Sequence, residues 1–217
     1  MADRDSRGGQ RYSDPEIMDW IDHTHVVHDE ALERAFTSPD REQMPAIQVS
    51  PSEGRLLGLL IKLVGARKVV EIGTLAGYSA IHIARALAPG GKLWTIELDE
   101  AHAGVARANL AAAGLDDRVE VIVGAALDVL PTLEQHGPFD AVFLDADKLG
   151  YAQYGRWARS NLRTGGLLIG DNAFLFGSLL EQSEGAASMR AFHQEAAASF
   201  DSVCVPTPDG VLVAIKR

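Results

Sequence analysis

A single cysteine, Cys204, stands in a chain of 217 residues, so no internal disulfide can form. With no partner thiol it is read as a small packing hydrophobe rather than a nucleophile. Cationic side chains are also scarce: 20 Lys and Arg face 30 Asp and Glu, a formal net charge of −10. A broad phosphate-binding surface needs clustered cations to release counterions, so nucleic acid is a disfavoured partner. No apolar run approaches the length of a membrane span, and the opening MADRDSRGGQRYSD lacks the apolar core of a secretory signal. A cytoplasmic location away from any membrane is the expectation. Neither an internal repeat nor a low-complexity tract is found. What remains is a chain 47% hydrophobic, of a size that suits one large α/β domain better than two small ones.

The chain sorts into three regions. Residues 1–14 are polar and Gly-bearing and are expected to form a disordered arm. Residues 15–217 then form the domain, beginning with helical segments over 15–65. Ser13-Asp14-Pro15-Glu16 reads as a helix start, with a capping side chain, a Pro and an acid in the first turn. A helical stripe is expected from Ile17 to Phe36, ending before Ser38-Pro39-Asp40. A second helix is expected to begin near Ser52, with Leu56, Leu59, Leu60 and Leu63 at helical spacing.

From residue 67 onward apolar strands alternate with helical stretches. The strands read KVVEIG (68–73), KLWTIELD (92–99), VEVIVG (119–124), FDAVFLDA (139–146) and GLLIGDN (166–172). Helices are expected to start near Tyr78, Glu100, Ala126 and Gly150. Continuous apolar strands separated by helices predict a parallel sheet covered on both faces, a doubly wound α/β fold. FDSVCVP (200–206) and GVLVAIKR (210–217) differ, because Asp209-Gly210 between them is a hairpin signal, so the last strand is expected to run antiparallel.

In such sheets ligands sit at the carboxyl ends of the strands. At the first informative exit, EIGTLAGYSA, Gly73 and Gly77 bracket a turn into a helix, permitting close approach of a ligand to the backbone, and Ser79 adds a donor near the helix start. The spacing is G-x-x-x-G, not the G-x-G-x-x-G of a dinucleotide fold, and Glu71 brings a carboxylate that suits a cationic ligand. At the second exit Glu97 lies 20 residues beyond Gly77, where an acid accepts hydrogen bonds from ribose hydroxyls, pointing to a nucleoside-containing ligand. At the third, Asp145 ends one strand while Asp171 and Asn172 end the next, with neighbouring strands about 4.8 Å apart. Two carboxylates and an amide oxygen can thus converge on one hard cation, Mg²⁺ first, with Mn²⁺ or Ca²⁺ as alternatives. The competing reading of Asp171-Asn172 is an ordinary turn after a strand. Lys148 follows Asp145 by three residues and can reach an oxygen at the same place.

In order along the chain, EIGTLAGYS, TIELDE, VGAALDVLP, FLDADKLGY and GDNAF resemble the class I S-adenosylmethionine-dependent, cation-dependent O-methyltransferases of the caffeoyl-CoA and catechol type, over roughly residues 46–217. The resemblance implies a seven-stranded, mostly parallel sheet of the Rossmann-like methyltransferase type that ends in an antiparallel hairpin. It implies S-adenosylmethionine bound against Val49, Glu71, Gly73, Thr74, Ser79, Glu97 and Ala126, and a divalent metal held by Asp145, Asp171 and Asn172. It makes Lys148 the base that deprotonates one hydroxyl of a small ortho-dihydroxy aromatic substrate, and it implies a homodimer with the N-terminal segment as a lid. Relatives that methylate a hydroxylated uridine in tRNA supply the alternative substrate, against which the acidic balance argues. Phe174, Leu175 and Phe176 offer an apolar wall for an aromatic ring. Asp147 is read as bordering the adenine or holding Lys148. His23, His25 and His28 fall short of a zinc set, which needs a fourth ligand; they are read as solvent-exposed, or as lining the entrance or a subunit contact.

Overall fold

The computed structural model describes residues 14–217. The predicted arm therefore lies outside the described residues except for Asp14. The chain folds as α1 (Pro15–His25), α2 (Glu30–Arg41), α3 (Pro51–Leu63), β1 (Lys68–Ile72), α4 (Tyr78–Ala86), β2 (Lys92–Glu97), α5 (Glu100–Ala112), β3 (Val119–Val123), α6 (Ala126–Leu133), β4 (Phe139–Leu144), α7 (Tyr151–Asn161), β5 (Leu162–Gly170), α8 (Glu184–Ser199), β6 (Phe200–Val205) and β7 (Val211–Lys216). The seven strands form one sheet in the order β3-β2-β1-β4-β5-β7-β6. The first five are parallel, and β7 lies antiparallel between β5 and β6. This is the predicted doubly wound sheet with its antiparallel hairpin, whose connection occupies residues 206–210.

Alternation along each strand divides the interior into two cores. Val70, Ile72, Val142, Leu144 and Leu168 face α6, α7 and α8 through Leu130, Tyr151 and Phe192. Val69, Ala141, Phe143, Leu167 and Ile169 face the opposite side, where Leu57, Ile81 and Leu110 from α3, α4 and α5 cover them. A sheet buried on both faces needs near-continuous apolar runs, and the central strands supply them, with Glu71 and Thr95 as buried polar exceptions near the carboxyl ends.

Helix starts follow capping chemistry. Asp14 accepts from Glu16 N at 3.1 Å, and Asp99 from Ala101 N at 2.7 Å. Ser50 and Glu53 form a reciprocal capping box. Capping also explains one departure from expectation. The stripe from Ile17 to Phe36 is two helices, because Asp29 accepts from Leu32 N at 3.0 Å and restarts the helix after His25. Pro39 does not end the second; it sits in the last turn, where its missing N–H removes a single bond, and Glu42 N closes on Ser38 O at 2.9 Å. Helix α8 was not read from the sequence, although Ala186, Met189, Phe192 and Ala196 repeat at helical spacing and are buried.

Strand order reverses between β1 and β4, which opens a crevice at their carboxyl ends. The two strands separate beside Gly73. Its φ is +98°, and a Cβ built there would lie 1.9 Å from the Asp145 carbonyl oxygen. Substituting Gly73→Ala should therefore lower stability by about 2–4 kcal/mol, combining backbone strain with a steric clash. The urea midpoint of unfolding measures this; a midpoint equal to wild type contradicts it.

Candidate active site

A cleft of about 770 Å³ opens over the carboxyl ends of β1, β2, β4 and β5. Nine of the eleven residues singled out from the sequence line it: Val49, Gly73, Thr74, Ser79, Glu97, Ala126, Asp145, Lys148 and Asn172. Glu71 and Asp171 do not, being 0% and 4% exposed and set behind the wall.

The glycine turn is held by acids that the sequence reading assigned to ligand. Glu97 Oε2 accepts from Thr74 N at 3.2 Å and Leu75 N at 2.8 Å, and Oε1 from Asp99 N at 3.0 Å. One carboxylate thereby fixes two loops, leaving its remaining lone pairs at the cleft. Gly77, at φ +84°, then turns the chain into α4. Behind the turn Thr74 and Thr95 hydroxyls lie 2.5 Å apart, and Thr95 donates to Glu71 Oε2 at 2.6 Å. Glu71 Oε1 has no partner. Burial pushes the Glu71 carboxyl up to about 7, against the opposing hydrogen bond from Thr95.

At the exits of β4 and β5, register pairs Leu144 with Gly170, so Asp145 and Asp171 emerge side by side. Lys148 Nζ donates to Asn172 Oδ1 at 2.6 Å and lies 3.5 Å from Asp145 Oδ1. It also lies 3.1 Å from the Tyr151 hydroxyl, which in turn lies 2.9 Å from Asp171 O and 3.0 Å from Leu144 O. Asp171 Oδ1 is buried without a partner. Burial first, then the neighbouring Asp145 and Glu53 charges, push Asp171 up to about 8. Burial also raises Asp145, despite the opposing Lys148 ammonium. Two desolvated carboxyls, one with an orphaned oxygen, and an amide oxygen make a donor set suited to a hard cation. Among the described residues no group of three or more His, Cys, Asp and Glu side chains is gathered for a metal; this set holds two such side chains, with an amide as the third.

A sequence profile of the O-methyltransferase family matches residues 23–216. The chain belongs to the O-methyltransferase family. It is 44% identical over 182 residues to a catechol O-methyltransferase of Mycobacterium tuberculosis, spanning 84% of this chain and 82% of that one. It is 46% identical over 157 residues to a catechol O-methyltransferase of Niastella koreensis, spanning 71% of each. The O-methyltransferase TomG from Streptomyces achromogenes, solved in complex with SAM, superposes with a TM-score of 0.87 at 36% identity, covering 95% of this chain and 97% of that one. The resemblance read from the motifs is borne out, and the protein is a methyltransferase.

Several residues of this O-methyltransferase site escaped the sequence reading. Tyr151 is wholly buried beneath Lys148, and its i+3 spacing from Lys148 at a helix start was the available signal. Asp147, read as bordering the adenine or holding Lys148, lines the cleft and does not hold Lys148: it accepts from Gly150 N at 2.8 Å and from the Tyr154 hydroxyl at 2.5 Å, fixing the start of α7. His25 and His28 do not share a helix face, since α1 ends at His25. His28 turns inward, with Nε2 2.7 Å from the Tyr78 hydroxyl and Nδ1 3.0 Å from Glu33 Oε2, tying the α1–α2 connection to the first residue of α4. His23 and His25 are exposed. Among the described residues no helix is long and apolar enough to cross a membrane.

The raised Glu71 carboxyl has a signed consequence for this O-methyltransferase. Between pH 4.5 and about 7 the folded state holds a proton that the unfolded state has lost, so Glu71 makes stability fall as pH rises. Glu71→Gln should remove up to about 3 kcal/mol of that loss, gaining on wild type at pH 7.5 relative to pH 5. Urea unfolding at both pH values checks it, and equal differences at the two would contradict it.

Proposed function

We propose that the protein transfers a methyl group from S-adenosylmethionine to one hydroxyl of a small ortho-dihydroxy aromatic, with the help of a divalent cation. The observation that carries this reading is the convergence of Asp145, Asn172 and Lys148 on one wall of a cleft that also carries the glycine turn, with the Asp171 carboxyl buried directly behind that wall. Catechol O-methyltransferases of M. tuberculosis and N. koreensis at 44% and 46% identity support the substrate class, and the SAM-bound neighbour supports the donor.

In this reading the donor's nucleoside meets Glu97 and Ala126, and its methionine end meets Gly73, Thr74, Ser79 and Val49. Glu71 acts from behind the turn as a counter-charge to the sulfonium. Asp145, Asp171 and Asn172 hold the cation, Mg²⁺ first and Mn²⁺ or Ca²⁺ as alternatives. When bound, that cation supplies Lewis-acid polarisation of the diol oxygens. Lys148, steadied by Tyr151 and entering the step as the free amine, takes the proton from the reacting hydroxyl and becomes an ammonium. The resulting oxygen lone pair attacks the methyl carbon in line as the carbon–sulfur bond breaks, leaving a neutral thioether and needing no covalent enzyme intermediate. The helices over residues 15–65 form a lid in this scheme, within a homodimer in the cytoplasm. Hydroxylated uridine in tRNA is the second reading; a net charge of −10 weighs against it.

The test assays catechol, unmodified tRNA and hydroxylated tRNA with wild type, Lys148→Ala and Asp171→Ala. Catechol methylation should fall by about 10²–10⁴ in kcat in the variants, the range for losing a general base or its site, while donor binding by calorimetry stays near wild type. Chelation should bring wild type toward the variants. Variants that keep wild-type turnover under chelation would sink the mechanism, and methylation confined to hydroxylated tRNA would sink the substrate.

A further inference from the structure

The six-residue segment that follows β5 into the cleft rim, 171–176, holds three of the five described non-glycine residues at positive φ: Asn172, Leu175 and Phe176, each at +52°. Side chains rarely accept this region, and such strain persists only where the surroundings over-determine it. Here the over-determination comes from the β6–β7 connection. Ala173 N donates to Gly210 O at 2.8 Å, and Phe174 N to Asp209 O at 2.9 Å. The Phe174 ring packs over Gly210, whose Cβ, if it had one, would lie 2.7 Å from that ring. The third tie is a side chain: Asp209 Oδ1 accepts from Phe176 N at 2.8 Å.

That third bond acts on the residue with the most unusual placement. Leu175 goes into the core at 8% exposure, whereas Phe176, its neighbour in the same conformation, is 69% exposed and lines the cleft. A large apolar ring left at the rim of a ligand cleft by a strained backbone needs something to keep it there. Without the carboxylate, the Phe176 N–H would lose its partner and the strain would have nothing opposing its release.

We propose that Asp209 is a positioning residue. By holding the Phe176 amide it fixes an aromatic lip against the substrate end of the cleft, and so decides which hydroxyl of an unsymmetrical aromatic diol is presented to the methyl donor. This inference rests on the diol reading above. A purely structural Asp209, tying down the hairpin and nothing more, would change thermal stability without changing which isomer forms.

The experiment uses the full chain with Mg²⁺, S-adenosylmethionine and a catechol bearing one ring substituent, and measures KM, kcat, the ratio of the two methylated isomers, and the melting temperature. Asp209→Ala should raise KM about five- to tenfold, the range for one hydrogen bond, with kcat within about twofold and a shifted isomer ratio. Phe176→Ala should shift the ratio in the same direction, and the double variant should add nothing further, because both act through one ring. Asp209→Asn keeps an acceptor oxygen and should restore the wild-type ratio. A wild-type ratio and KM in Asp209→Ala overturns the proposal whatever its melting temperature, as does an Asp209→Ala effect that survives in the Phe176→Ala background. If Asp209→Ala fails to fold, the exposed-rim variant Phe176→Ala decides alone, and an unchanged ratio overturns the proposal. Wild type that methylates no diol overturns the activity itself and this inference with it; active wild type with unmoved ratios overturns only the inference.

Discussion

The Asp145 carbonyl passes over Gly73 where any other residue would carry a Cβ, and the rest of the site follows from that close approach. It lets β1 and β4 remain paired to their last residues, Ile72 with Leu144, and then diverge abruptly. Divergence at the point where strand order reverses makes a crevice rather than a closed sheet edge. The glycine turn occupies one bank and the Asp145 exit the other. Both banks are therefore set by backbone sterics, and the side chains that do chemistry inherit their positions.

Electrostatic cost is concentrated on that crevice. Glu71, Asp145 and Asp171 are all desolvated acids, and each is raised by burial more than its hydrogen bonds lower it. Folding alone does not reward three such groups within a few residues of adjoining strand tips. Lys148 offsets part of this cost by bridging Asn172 and Asp145, while Asp171 Oδ1 and Glu71 Oε1 stay unpartnered. Strained backbone in the next segment adds to the same ledger. Orphaned oxygens and left-handed non-glycine residues cluster at functional sites because a ligand, not the fold, completes them.

Most of the sheet was legible because its strands are short, apolar and separated by helices, and because strand exits in such folds are the ligand side. Helix starts at Tyr78, Glu100 and Ala126 fell where read, since Gly77, the capping Asp99 and the Gly124 turn precede them. The errors have specific sources. Asp29 capping outweighed the continuous stripe that joined Ile17 to Phe36, and Pro39 was placed where a missing N–H costs least. Helix α8 is rich in Ala, so its buried stripe of Met189 and Phe192 stood out poorly. For the site, residue types at strand ends sufficed to bring nine of eleven residues to the cleft. What sequence could not supply was the longer-range supporting layer: Glu97 on the glycine turn and Asp209 on Phe176 depend on contacts between residues 22 and 33 positions apart.

Strand β7 is inserted between β5 and β6, although both precede it in the chain. While the polypeptide is being made, the outer hydrogen-bonding edge of Leu167–Gly170 has no partner until Val211–Lys216 has emerged. The turn that anchors the rim segment, Asp209-Gly210, lies immediately before that strand and emerges just ahead of it. An apolar parallel sheet with an open edge is the kind of intermediate that pairs with its neighbours. The order of strands thus ties two events together in time: closure of the edge that guards against aggregation, and completion of the cleft's outer lip.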